Sequence, residues 1–450
     1  MEYNVLAVDL GATSGRGIVF TFDCGAERAR KEVYRFPSVA YSEGGKMYWD
    51  ARKLYDEVCN ALRKAIAAYP RIDGVGIDSW GVDYGIIGRD GELICNPRCY
   101  RDAAHTATRN AMANRAGELY KIAGIADNDF NTTYQLATLV REGFDFTQAK
   151  TLLFIPQLIG YLLTGNKATE PTIASTSGFF DRRGGFDKGF LEELGIPSEI
   201  FPEVMPTGAV LGYVKKELKE ALGAAYDIPV ILSPGHDTAC AVSAVENASC
   251  GSPLYLSSGT WSLFGTLLDV PVVTREAFLK GYTNELASSG KVRFLKNIMG
   301  MWIIEECMRE WRASGRDIGH GELIKLASEA DCGEAHIDVN DGIFLQPGNM
   351  AERVAGYVRA HCGRELVGEG ETALCVYRSL ARAYKDAYDD LARIVGKKFD
   401  KLYVVGGGAR NGFLNSLTER ELGIPVIALE TEASALGNAF TQYATLVSSA

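Results

Sequence analysis

His236 and Asp237 stand in PGHDTACAV, after the β-branched run IPVIL and before small residues suited to a helix. A carboxylate at such a turn can accept a hydroxyl proton as that oxygen attacks a phosphoryl group. It can equally cap the helix that follows. His236 beside it could hydrogen-bond the substrate. The segment Asp9 to Arg16, DLGATSGR, ends a strand in a carboxylate and continues with small residues. Their amides and hydroxyls suit a concave turn around phosphate, and an ordinary hairpin turn has the same composition. The segment matches neither GxxxxGK[ST] nor a GxGxxG turn leading into a helix. LSSGTW offers Ser257, Ser258, Gly259 and Thr260 for the same chemistry. In VVGGGARN, three glycines at a strand-to-helix junction either bare the backbone to a planar base or ribose or simply make a tight turn. GIDSWGVDYG gathers Asp78, Trp80, Gly81 and Asp83 within one turn, acceptors beside an aromatic face that would suit a sugar. FNTTYQL adds Phe130, Asn131 and Gln135, and FLKNIMGMW adds Asn297. Trp80 alone is as readily a core residue.

The elements that must hold these groups follow from local pattern. VLAVDLGATSGRGIVFTF and SPLYLSSGTWSLFGTLL each read as strand, small hydroxyl-rich turn and strand, one near the start of each half. DARKLYDEVCNALRKAIAAYP has Asp50 as an N-cap, Leu54, Val58, Leu62 and Ile66 at helical spacing, and Pro70 beyond the end. RIDGVGIDSWGVDYGIIG reads as strand, turn and strand. ETALCVYRSLARAYKDAYDDLARIVG is a second long helix ending at Gly396. KLYVVGGGARNGFLNSLTERELGIPVIAL gives strand, glycine turn, helix and strand. This alternation predicts α/β domains with sheets covered by helices. The turn-forming segment VENASCGSP, Val245 to Pro253, divides them into residues 1–245 and 246–450.

Acidic residues exceed basic ones by ten over 450 residues, and 47% are apolar. That balance describes a folded chain and gives no field that would gather nucleic acid or anionic membrane. MEYNVLAVDLG lacks the basic and apolar pattern of an export signal, and TLLFIPQLIGYLLTG is interrupted by Pro156 and Gln157, so a soluble, cytoplasmic protein is expected. The ten cysteines are then reduced thiols. Cys95, Cys99 and His105 have no second pair at zinc-site spacing.

VDLGATSGR, GIDSWGVDYG, YRD at Tyr100 to Asp102, FNTTYQL, PGHDTA, LSSGTWSL, KNIMGMW, VGGGARNGFLN and EASALGN, in this order from residue 5 to about residue 440, closely resemble the FGGY carbohydrate kinases. The resemblance implies two ribonuclease-H-like domains of the actin and hexokinase kind, flanking a cleft for ATP and sugar. The implied reaction is Mg²⁺- and ATP-dependent phosphorylation of L-rhamnulose at its 1-hydroxyl. L-fuculose, xylulose or a related polyol is an alternative substrate, and a nonenzymatic nucleotide or sugar sensor an alternative function. Asp237 falls on the catalytic base, Ala12, Thr13, Ser14, Gly15 and Arg16 on the first phosphate loop, and Thr260 on the second. Gly407 and Gly408 fall on the adenosine-side turn, and Asp9 on the carboxylate that reaches Mg²⁺ through water. Gly81, Asp83, His236, Thr238 and Asn297 fall on positions that touch or frame the sugar, with Asn131 and Gln135 as further members. Glu305, in IIEEC, stands near the nucleotide where related kinases tend to carry Gln. The implied partners are a small sugar and ATP, with no nucleic acid or membrane; oligomeric state is not readable.

Overall fold

The computed structural model describes residues 2–181, 184–249 and 251–448. Cys250 in the predicted junction, and the chain ends Met1 and Ala450 that bound the two predicted domains, lie outside the described residues. The chain forms two compact units: Met1–Ala244 with Leu268–Arg293 and Ala433–Ala450, and Val245–Leu267 with Phe294–Glu432.

In the first unit, β1 (Glu2–Leu10) and β2 (Ser14–Asp23) form the predicted hairpin, and β3 (Ala26–Pro37) continues it. Next comes α1 (Ala51–Ala68), capped by Asp50, whose carboxylate accepts from the Lys53 amide at 2.9 Å. The remaining elements that matter here are β4 (Gly74–Ser79), α2 (Thr132–Arg141), β5 (Val210–Tyr213), β6 (Pro229–Ile231) and α3 (Asp237–Ala248). The sheet order is β3-β2-β1-β4-β6-β5, with β1, β4 and β6 parallel. Side chains alternate across β1 as the two-residue period of a strand requires. Leu6, Val8 and Leu10 join Val58 and Leu62 of α1 on one face, and Val5 and Ala7 join Ala435 and Ala439 of the helix Ala433–Ser448 on the other. Each fully buried Val or Leu contributes about 1.5–3 kcal/mol over its exposed state, so this packing outweighs helix propensity in holding α1. The turns after the three parallel strands emerge at one edge of the sheet, where open α/β sheets bind ligands.

The second unit repeats the plan. β7 (Leu254–Ser258) and β8 (Trp261–Leu268) form an antiparallel hairpin, followed by β9 (Val292–Met299) and α4 (Trp302–Ala313). Later come α5 (Gly368–Val395), β10 (Leu402–Val405), α6 (Gly412–Leu422) and β11 (Val426–Ala428). The strands run β9-β8-β7-β10-β11, with β7, β10 and β11 parallel. The long helix α5 ends at Gly396, whose φ of 69° is the left-handed cap predicted there.

Candidate active site

Asp237 is the first residue of α3. The turn before it is held by Glu170, a fully buried carboxylate. Glu170 Oε2 accepts from the amides of Gly235 and Thr172, each at 2.9 Å, and from the Thr172 hydroxyl at 2.7 Å. On the other side, Ser79 at the end of β4 donates its amide to Gly235 O at 2.9 Å. Asp237 Oδ1 accepts from the Thr238 amide at 2.5 Å and hydroxyl at 3.1 Å, and the side chain keeps 30% of its surface open. Base and cap are therefore compatible roles for one residue. Desolvation raises the Asp237 pKa above the ordinary carboxylate value; Asp9 adds to the rise, and His236 and Thr238 oppose it.

Asp9 and Arg16 are directly opposed across the β1–β2 hairpin, and Arg16 donates to Asp9 Oδ2 through Nε at 3.1 Å and Nη2 at 2.7 Å. Asp78, beside Asp9 on β4, is completely buried. Its Oδ2 accepts from Asn438 Nδ2 at 2.6 Å, and its Oδ1 has no hydrogen-bond partner among the described residues. Burial, with Asp9 and then Asp237 contributing, holds the Asp78 pKa well above the usual range.

The GIDSWGVDYG turn is tightly constrained. Val82 has φ of 68°, rare for a β-branched residue, and the Asp83 amide donates to Gly81 O at 2.9 Å, closing a three-residue turn. Val82 N donates to Thr176 Oγ1 at 3.1 Å, and Val82 O accepts from Thr132 Oγ1 at 2.6 Å. These bonds hold the strained residue in place. Asp83 is fully buried. Its Oδ2 accepts from Trp49 Nε1 at 2.6 Å, Trp80 Nε1 at 3.0 Å and the Tyr100 amide at 3.2 Å; its Oδ1 accepts from Gln135 Nε2 at 2.8 Å. Burial pushes its pKa up to about 7 against these four donors. Asp83 and Gln135 thus satisfy each other inside the fold and frame the turn. Trp80 is both core and hydrogen-bond donor, its ring 4.3 Å from that of Trp49. Asn131 is buried, with Nδ2 donating to Ala126 O at 2.8 Å. Gly81 is half-buried, and Thr238 is buried beside Asp237.

Thr13 and Ser14 are exposed at the tip of the first hairpin, Ala12 is half-buried, and Gly11 N donates to Ser14 O at 3.1 Å. Gly15 is buried as the register partner of Leu10. In the second unit, the turn at Gly259 and Thr260 is gripped by the start of α4: Gly300 N donates to Thr260 O at 3.1 Å and Met301 N to Gly259 O at 2.9 Å. Gly408 packs on the end of β7, where an added Cβ would collide with Ser258, and Gly407 is exposed. Glu305 lies in the first turn of α4, with Oε1 3.3 Å from His320 Nε2. Asn297 is half-buried on β9. The structure places Asp9, Arg16 and Asp237 in the first unit together with Gly81, Asp83, Asn131, Gln135, His236 and Thr238, the residues expected on the sugar side. Thr260, Asn297, Glu305, Gly407 and Gly408 belong to the second. Sequence reasoning missed Glu170, whose only local signal is its place before Pro171 and Thr172 at a helix start, and the Asn438 partner of Asp78, which is 360 residues away.

Models of the N-terminal and C-terminal domains of the FGGY family of carbohydrate kinases match residues 4–243 and 254–446. The rhamnulokinase of Bacteroides thetaiotaomicron is 36% identical over 450 residues, covering 99% of this chain and 91% of that protein. The rhamnulokinase of Enterococcus faecalis is 36% identical over 445 residues, covering 97% and 88%. Among solved structures, a ligand-bound xylulose kinase from Lactobacillus acidophilus aligns with a TM-score of 0.81 at 20% identity, covering 99% of this chain and 90% of that one. A gluconate kinase from the same species aligns at 0.80 and 19%, with the same coverage. These structures share the fold, which is the mixed α/β actin- and hexokinase-like one expected.

Proposed function

We propose, from the premise that this chain belongs to the FGGY family of carbohydrate kinases, that its sugar is L-rhamnulose, phosphorylated by ATP at the 1-hydroxyl. The observation that carries the chemistry is Asp237: a partly open carboxylate at the start of α3, made more basic by its surroundings. With Oδ1 engaged by Thr238, Oδ2 accepts the hydroxyl proton while the sugar oxygen bonds to the γ-phosphorus and the bond to the ADP oxygen breaks. His236, Thr238 and the turn framed by Gly81, Asp83, Asn131 and Gln135 orient the sugar, with Asn297 as a further contact. Ala12 to Arg16 and Thr260 face the phosphates, Gly407 and Gly408 the adenosine, and Glu305 lies beside it. In this reading residues 1–245 supply sugar contacts and base, and 246–450 supply most nucleotide contacts.

The cation site fits this scheme because the Asp9, Asp78 and Asp237 carboxylates act on one another electrostatically, with Arg16 donating to Asp9. Asp9 would hold Mg²⁺ through water, and the ion when bound would neutralise charge on the phosphoryl oxygens. The choice of L-rhamnulose is supported by the names of the near-full-length relatives. Among the described residues no helix is long and apolar enough to cross a membrane, and a cytoplasmic location belongs to the proposal.

The test is ADP release from MgATP in a coupled assay with L-rhamnulose, L-fuculose, D-xylulose, L-ribulose and glycerol, using Asp237→Asn as the blank. A preference for L-rhamnulose that vanishes in the variant is expected. Preference for another sugar overturns the substrate and leaves the base standing.

A further inference from the structure

We propose that Arg293, charge-balanced by Glu285, fixes the proton of His236 on Nε2, so that the imidazole presents a constant N–H on the side of Asp237. The consequence for turnover rests on the reading of Asp237 as the base. The arrangement itself rests on geometry within the first unit, to which Leu268–Arg293 belongs. Arg293 is fully buried, and Glu285 and His236 are 6% and 9% exposed. Arg293 Nε donates to Leu286 O at 3.0 Å, and Nη2 lies 3.0 Å from His236 Nδ1 and 2.8 Å from Glu285 Oε2.

A guanidinium is always charged and can only donate. Nδ1 of His236, receiving that N–H, must therefore present its lone pair, and a neutral imidazole then carries its proton on Nε2. Glu285 Oε2 also lies 3.2 Å from Nδ1, but without hydrogen-bond geometry. Its place is that of counter-ion: burial would raise its pKa, yet the adjacent Arg293 brings it below the ordinary value. The anion offsets an otherwise uncompensated buried charge. Among the described residues, Asp237, Glu285 and Arg293 are the charged groups in contact with the ring, and Nε2 stands 3.4 Å from Asp237 Oδ1.

In this tautomer His236 has no lone pair to offer the sugar hydroxyl on the Asp237 side. Proton acceptance is left to Asp237, and His236 serves as a donor to the sugar oxygen or to the carboxylate. The opposite arrangement, Nδ1–H toward Glu285, would leave Nε2 as a second base beside the first.

The two are separated by ¹⁵N NMR of the full-length chain with labelled histidine. His236 is one of five histidines, and its signals are assigned by their loss in His236→Gln. Where the ring is neutral, its proton is expected on Nε2 in the wild-type protein; an Nδ1–H ring, or an imidazolium throughout, overturns the proposal, and this reading needs no variant beyond the assignment. Arg293→Met should lose the Nε2–H tautomer, and Arg293→Lys, also donor-only, should keep it; an unchanged ring in Arg293→Met overturns the role of Arg293. Turnover in Arg293→Met should fall by about ten- to a hundredfold, the scale on which partners that orient a functional histidine act, and wild-type turnover would likewise count against the lock. The NMR experiment contains neither sugar nor nucleotide, so an error in the assigned substrate leaves its outcome intact, and an Nδ1–H ring leaves the kinase reading intact.

Discussion

Asp237, the proposed base, is a carboxylate whose pKa is raised chiefly by desolvation. A base is active only when deprotonated, so activity falls as the pH drops through that raised value. The acid limb of kcat/KM against pH should therefore lie above about 4, the ordinary aspartate value; a limb at or below it would mean another group titrates. Asp237→Asn keeps the shape and removes the acceptor. Turnover should fall roughly 10²-fold or more with sugar and ATP binding nearly intact, measured by single-turnover kinetics and calorimetry. Asp83 gives a stability prediction of definite sign. Its folded-state pKa is about 7, against about 3.9 unfolded, so its stabilising protonation is complete below pH 4 and lost as the pH rises toward 7. Asp83→Asn should flatten the fall of Tm between pH 4 and 8, and an unchanged slope would place that proton elsewhere. His236, Asp237, Gly81 and Asp83 could be singled out as candidates because each is part of a contiguous motif. Glu170, Glu285 and Arg293 could not, since contacts such as Glu170 with Gly235 and Arg293 with His236 join positions 65 and 57 apart and leave no local pattern.

Turns and hairpins are fixed by nearest neighbours, which is why both strand–turn–strand segments, the Asp50 cap and the Gly396 stop could be read directly. The strain at Val82 could not, because a valine in the left-handed region contradicts local preference and is held there by Thr132 and Thr176 from elsewhere in the chain. The helix Ala433–Ser448 shows the same dependence on distant contacts. Gly437 sits against the backbone carbonyl of Cys240 in α3, and Asn438 reaches Asp78. Gln442 Nε2 donates to Leu6 O at 3.0 Å and to Asn438 Oδ1 at 2.7 Å. In an exposed helix Gly→Ala would stabilise by about 1 kcal/mol. Here the added methyl meets backbone that cannot rotate away, and overpacking of that kind typically costs about 1–3 kcal/mol. The collision should win: Gly437→Ala is expected to lower stability in urea unfolding and to reduce turnover, since α3 carries Asp237. A more stable variant would mean that the helix does not rest on Cys240.

At the scale of the whole chain, the alternation of strand and helix was enough to predict two similar α/β units. What local pattern has no means to assign is the membership of Leu268–Arg293 and Ala433–Ala450 in the first unit, which depends on contacts such as Asn438 with Asp78, 360 residues apart. That partition has a measurable consequence. The proposed sugar residues Gly81, Asp83, Gln135, His236 and Thr238 all lie in the first unit, while Thr260, Gly407 and Gly408 lie in the second. A ligand stabilises what it binds, by about 2.7 kcal/mol at a hundred times its Kd, and amide exchange reports such gains locally. L-rhamnulose alone should slow exchange in peptides covering residues 79–84 and 234–238 and leave 405–411 unchanged. MgADP alone should slow 258–262 and 405–411 together with the first turn, 11–15. Protection by the sugar confined to 405–411, or by MgADP confined to 79–84, would reverse the proposed division of labour. The sugar pattern appearing with L-fuculose but not with L-rhamnulose would keep that division and change the substrate.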